Sequence, residues 1–116
     1  MNFTVVTSDV AEAEIEAVFL SLFLRNPEFA ARWLEGLNRV IAALDTFPSR
    51  HARVDEGGLQ GQEIRRVVYR NGRTVYRILF TLLDADGDGK DDTVRVLRVL
   101  HGARRPLGQP SDEDQQ

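Results

Sequence analysis

A chain of 116 residues, 42% hydrophobic and 28% charged, has the composition of one soluble domain and is long enough to build a single core. It has no cysteine, which excludes disulfides and thiolate metal sites, and no apolar run reaches the roughly 18 residues of a membrane span. The net charge of −3 argues against indiscriminate nucleic-acid binding; residues 1–9 lack a signal-peptide pattern, so a cytoplasmic protein is expected.

Phe3-Thr4-Val5-Val6 is β-prone and predicts a first strand over about 2–6. Asp9 followed by Glu12 resembles a capping box, and Ile15, Val18, Phe19 and Leu22 recur at helical spacing up to about Arg25. Asn26-Pro27 starts a second helix, with Asn as N-cap and Pro at the first helical position. Phe29, Trp33, Leu37, Val40, Leu44 and Phe47 read as one apolar stripe closed by Pro48. Residues 49–61 are polar and glycine-rich, a loop. The period then changes to strands over 62–70, 73–83 and 93–101, with a tight turn at Asn71-Gly72. In the middle strand Tyr76, Ile78, Phe80 and Leu82 alternate with Arg77 and Thr81, which puts the apolar set on the helices and Arg77 on the other face.

The order β-α-α-β-β-β is an α+β fold, a helical hairpin covering one face of a mostly antiparallel sheet. The far face is expected to carry Arg65 or Arg66, Arg77 and Arg98 and to end at His101. Charge is distributed to match: residues 1–49 hold three arginines and seven acids, whereas residues 50–105 hold twelve bases and eight acids. Five of those eight acids lie in the single loop 84–92, which leaves the strands basic and suited to an anionic or acidic partner.

That loop begins Asp84-Ala85-Asp86-Gly87-Asp88-Gly89, a match to the D-x-D-x-D-G start of a calcium loop, with Asp92 in ninth position. Asp84, Asp86, Asp88 and Asp92 are therefore candidate calcium ligands. Arg95 stands where an EF-hand has its last glutamate, and the flanks are strands, so the alternative is a polar hairpin loop.

The residues Trp33-Leu34-Glu35, Ala42-Ala43-Leu44 with Phe47-Pro48, Ile64-Arg65-Arg66, Tyr76-Arg77-Ile78-Leu79-Phe80 and Val99-Leu100-His101-Gly102-Ala103-Arg104, in this order, resemble the RelE/ParE toxin superfamily, also labelled plasmid stabilization proteins. The resemblance implies one toxin domain over 1–107, followed by an acidic tail over 108–116 expected to be flexible. It implies a growth inhibitor neutralised by a cognate antitoxin, which wraps an extended or helical segment around it. RelE-like relatives cut mRNA in the ribosome; ParE-like relatives poison DNA gyrase. The HGAR ending is closer to the ParE-type members. For ribonuclease chemistry the residues to carry it would be Arg77, His101 and Arg104, since 2′-hydroxyl attack needs a base, an acid and a cation near the phosphate. For binding a target or antitoxin they would be Arg65, Arg66, Arg77, Arg98 and Arg104. A family member without toxicity, acting as a calcium-binding interaction module, is the third alternative.

Overall fold

The computed structural model describes residues 2–55 and 61–102. A four-residue strand β1 (Thr4–Thr7) leads into helix α1 (Asp9–Arg25) and helix α2 (Pro27–Ala42); strands β2 (Arg65–Asn71), β3 (Thr74–Leu83) and β4 (Thr93–His101) follow. The sheet order is β1-β4-β3-β2, with β1 parallel to β4 and the other pairs antiparallel. The parallel strands β1 and β4 are joined through the helical hairpin followed by β2 and β3, a connection long enough for the crossover that parallel pairing requires.

The first helix starts one residue earlier than the Asp9-Glu12 pattern suggests. Ser8 is the N-cap: its hydroxyl oxygen accepts from the Ala11 amide at 3.1 Å and donates to the Leu97 carbonyl at 3.1 Å. Its own amide donates to the Val96 carbonyl, which holds Ser8 in the extended conformation a cap needs. Asn26 caps α2 as expected, accepting from the Phe29 amide at 3.1 Å, with Pro27 behind it.

The stripe of α2 is rotated from the one expected. Ala30, Trp33, Leu37 and Ile41 are buried, and Leu44 continues the row in a short 3-10 turn. Phe29 and Phe47 are exposed, Phe47 by 73%. Both rows keep steps of three and four, so periodicity alone does not choose between them. Phe47 adopts φ 46°, the left-handed region a bulky side chain rarely visits, and thereby turns the chain into Pro48. The tight turn between β2 and β3 also moves by one residue: Asn71 pairs with Thr74, and Gly72 (φ 65°) is the first of the two turn residues. Glycine in that position fits a type II′ hairpin rather than the Asn-Gly type I′ form.

The main core joins the α2 row to Tyr69, Tyr76, Ile78, Phe80, Val94, Val96 and Val99. The far face of the sheet, expected to be polar, carries a second, smaller cluster of Ile64, Leu79 and Leu97 flanked by Val54 and Leu100. The chain entering β2 builds it: Arg53 bridges Arg65, and the Val54 amide donates to the Ile64 carbonyl at 2.8 Å.

Candidate functional site

The sites suggested by sequence fall on β2, β3, β4 and the loop between the last two. In β3, alternation holds: Tyr76, Ile78 and Phe80 face the helices, and Arg77, Leu79 and Thr81 face away. In β4 it is interrupted. Phe80 pairs with Val96 but Leu79 pairs with Arg98, so Leu97 is an extra, bulged residue. Val94 and Val96 face the helices before the bulge; Val99 and His101 do so after it. Because the side-chain period is two, one inserted residue inverts every later position. Without the bulge His101 would share a face with Arg77. With it, Arg77 lies opposite Leu100 on the far face, and His101 lies opposite Tyr76 on the helical side, ring centroids 5.2 Å apart. His101 is exposed at this end of the sheet.

Arg77 is 7% exposed, and its guanidinium donates to the Gly102 carbonyl. Arg65 and Arg66, being adjacent, take opposite faces. Arg65 is half-buried and donates to the Ser49 and His51 carbonyls at 3.0 and 2.7 Å and to Glu63 at 3.1 Å, which ties the loop after α2 to the start of β2. Arg66 lies opposite Leu79 on the far face. Arg98 is engaged by Glu14 of α1: the carboxylate receives its Nε at 3.0–3.1 Å and its Nη2 at 2.6 Å, and also the Val99 amide at 2.9 Å. The hydrogen bonds that Arg98 donates to Glu14 raise its pKa further. Arg104 and the acidic tail lie outside the described residues.

Glu14 was not singled out by sequence, since a glutamate on a helix reads as a solvated residue. Its role follows from strand lengths: β1 ends at Thr7, opposite Val96, and leaves the edge of β4 beyond that point to α1. Replacing Glu14 with alanine is expected to cost about 2 kcal/mol in chemical denaturation, because charged hydrogen bonds are lost and the Val99 amide is stranded. Glu14→Gln, which keeps an acceptor for that amide, should cost less.

His51, in the loop after α2, stands edge-on to Phe80 with centroids 5.9 Å apart and accepts from the Arg50 Nε at 3.4 Å. Burial, then the charges of Arg50 and Arg65, hold its pKa below the ordinary histidine value of about 6.5. The unfolded chain therefore takes up this proton at higher pH than the folded one. The stability difference is absent above about 6.5 and grows as pH falls through that value toward the folded pKa. Between pH 7.5 and 5, the wild-type melting temperature is expected to fall more than that of His51→Gln.

In the β3–β4 loop, one ligand oxygen each from Asp84, Asp86, Asp88 and Asp92 lies within 4.8 Å of the others. Asp84 accepts from the amides of Gly87, Asp88 and Gly89, and Asp92 accepts from those of Ala85 and Asp86. The Thr93 hydroxyl, followed by the Ala85 amide, lowers the Asp92 pKa. At Asp86 the Asp88 amide pulls down most, yet desolvation together with Asp84 and Asp92 leaves the carboxyl above its usual value. The four oxygens are close enough to share one hard cation. Arg95, in the twelfth position, is committed to β4 opposite Thr81 and Val6, and adds no ligand.

Tyr69 and Tyr76 are the only tyrosines, and burial pushes both hydroxyls above their usual pKa, so neither is a base at neutral pH. Among the described residues, no helix is long and apolar enough to cross a membrane. No curated protein matches the chain significantly. Residues 5–106 match the family model described as the ParE toxin of the type II toxin-antitoxin system, parDE. With that match over most of its length, on two helices packed against a four-stranded mixed sheet, the chain belongs to the ParE toxin family within the RelE/ParE superfamily, the toxin side of a toxin–antitoxin pair whose partner is a cognate antitoxin.

Proposed function

We propose that this toxin acts by binding a protein target, DNA gyrase being the family's expectation, and does not cut RNA. The observation that carries this reading is the bulge at Leu97, which turns His101 to the helical side while Arg77 faces away. Cleavage through a 2′-hydroxyl needs a proton acceptor and a cation converging on one phosphate, and two residues on opposite faces of a sheet do not converge. Arg65, Arg66, Arg77, Arg98 and Arg104 are the contacts proposed for target or antitoxin.

The test is induction in a bacterial host without antitoxin, with pulse labelling of DNA and protein synthesis. DNA synthesis is expected to stop first, and His101→Gln is expected to leave the growth arrest intact. An early stop in translation with fragmented mRNA, together with loss of about 10²–10⁴ in cleavage for His101→Gln, supports the ribosome-dependent ribonuclease instead. Unaffected growth supports a non-toxic family member.

The acidic loop is proposed as a weak calcium site. The support is the mutual approach of the four carboxylates. With the last ligand missing, affinity is expected in the range of about 10⁻⁴–10⁻³ M. Calcium should raise the melting temperature of the wild type and leave Asp84→Asn/Asp88→Asn unchanged; equal shifts in both proteins exclude the site.

A further inference from the structure

Helix α1 is apolar on two faces. Ile15, Val18, Phe19 and Leu22 pack on the core. On the opposite face Val10, Ala13, Ala17, Leu20 and Leu24 are all exposed, Val10 by 56%, Leu20 by 51% and Leu24 by 86%. A helix that is apolar all round is normally covered all round. The outer row advances by three, four, three and four residues, an average step of 3.5. That is the spacing of a seam between two paired helices, and the fold itself makes no use of it.

The seam is graded in size: Ala13 and Ala17 are small, Leu20 and Leu24 large. Laid antiparallel on a second copy, it sets Ala17 opposite Leu20 and Ala13 opposite Leu24, and two-fold symmetry repeats each pair. Leucine knobs then fill the holes that alanine leaves in the facing helix. A parallel copy would set leucine on leucine and leave gaps beside the alanines.

Charge selects the same orientation. Residues 9–16 hold Asp9, Glu12, Glu14 and Glu16, whereas residues 17–25 hold no acid and one base, Arg25. Glu14 is already offset by Arg98, which leaves three acids in the first half. Antiparallel pairing lays the acidic half of each helix on the acid-free half of the other and opposes the two helix dipoles. Parallel pairing would stack acid on acid.

We propose that α1 is a self-association surface: two copies of this chain pair antiparallel through Val10, Ala13, Ala17, Leu20 and Leu24. One helix from each side makes an interface below the roughly 1,200 Å² of stable complexes, so the pair is weak and its population follows concentration. The seam lies on the helical side of the sheet, and the inference stands or falls separately from the gyrase reading.

The test is sedimentation equilibrium of the complete free chain over a rising concentration series. The mass is expected to climb from 13.1 kDa toward twice that value. Leu20→Glu/Leu24→Glu alters two exposed positions, so it should stay folded and remain at 13.1 kDa throughout. The absence of cysteine allows a second measurement with single thiols. Ala17→Cys, beside the two-fold axis, should oxidise to a covalent dimer, whereas Ala42→Cys, exposed at the end of α2, should not. The proposal is overturned if the wild type stays monomeric at every concentration, which leaves the seam to a helix of the antitoxin. It is equally overturned if the dimer survives the double variant, or if the two cysteine variants cross-link alike, because the contact then lies elsewhere.

Discussion

Trp33→Ala is expected to cost about 3–5 kcal/mol, the range for truncating a large buried aromatic residue. Trp33 is 1% exposed and meets Tyr76 edge-on at 5.3 Å and Tyr69 at 6.5 Å. Tyr69 and Tyr76 stack at 6.1 Å, so the indole closes a three-ring cluster joining α2 to β2 and β3. Small domains are stable by only about 5–15 kcal/mol in total, so this single change consumes a large share. Denaturant unfolding of the variant should show a lowered midpoint with an unchanged slope. A loss under about 1 kcal/mol would mean that neighbouring side chains collapse into the vacated space.

The second large effect comes from adding one carbon atom. A Cβ on Gly36 would lie 2.3 Å from the Tyr69 hydroxyl oxygen and 3.0 Å from the ring carbon that bears it. Tyr69 has little room to retreat, because its hydroxyl donates to the Trp33 carbonyl at 2.9 Å and its ring stacks on Tyr76. In an open helix, Gly→Ala stabilises by about 1 kcal/mol; here overpacking by about 1–3 kcal/mol and the loss of a buried hydrogen bond oppose it. Gly36→Ala is therefore expected to destabilise by about 2 kcal/mol. The closest clash is with the hydroxyl, so the same substitution should cost about 1 kcal/mol less in a Tyr69→Phe background. Equal costs in both backgrounds would show that the contact with Tyr69 is not what glycine preserves.

The candidate site was legible as a set of residues and illegible as an arrangement. Arg77, Arg66 and His101 stand on the strands where alternation and the family resemblance put them. Their faces depended on a bulge for which a single sequence gives no local sign, because Leu97 is as suited to a strand as its neighbours. Arg98 was legible as a strand arginine, but not as one held by Glu14, because the pair is 84 residues apart along the chain.

What this sequence determines by itself is whatever has a short physical range. Asn26-Pro27 separates the two helices, the period of two around Tyr76, Ile78 and Phe80 marks the central strand, and glycine in the β2–β3 turn supplies its positive φ. The ordered motifs from Trp33 to Arg104 also carry the family, as the match over residues 5–106 bears out. Tertiary structure decides what depends on partners distant in the chain. It selects Ala30 and Ile41 over Phe29 and Phe47, and the small Ala30 is wholly enclosed. It makes Ser8 the cap because Val96 and Leu97 bind its backbone and side chain. It sets Arg77 and His101 on opposite faces because one extra residue in β4 inverts the pleat for every position after it.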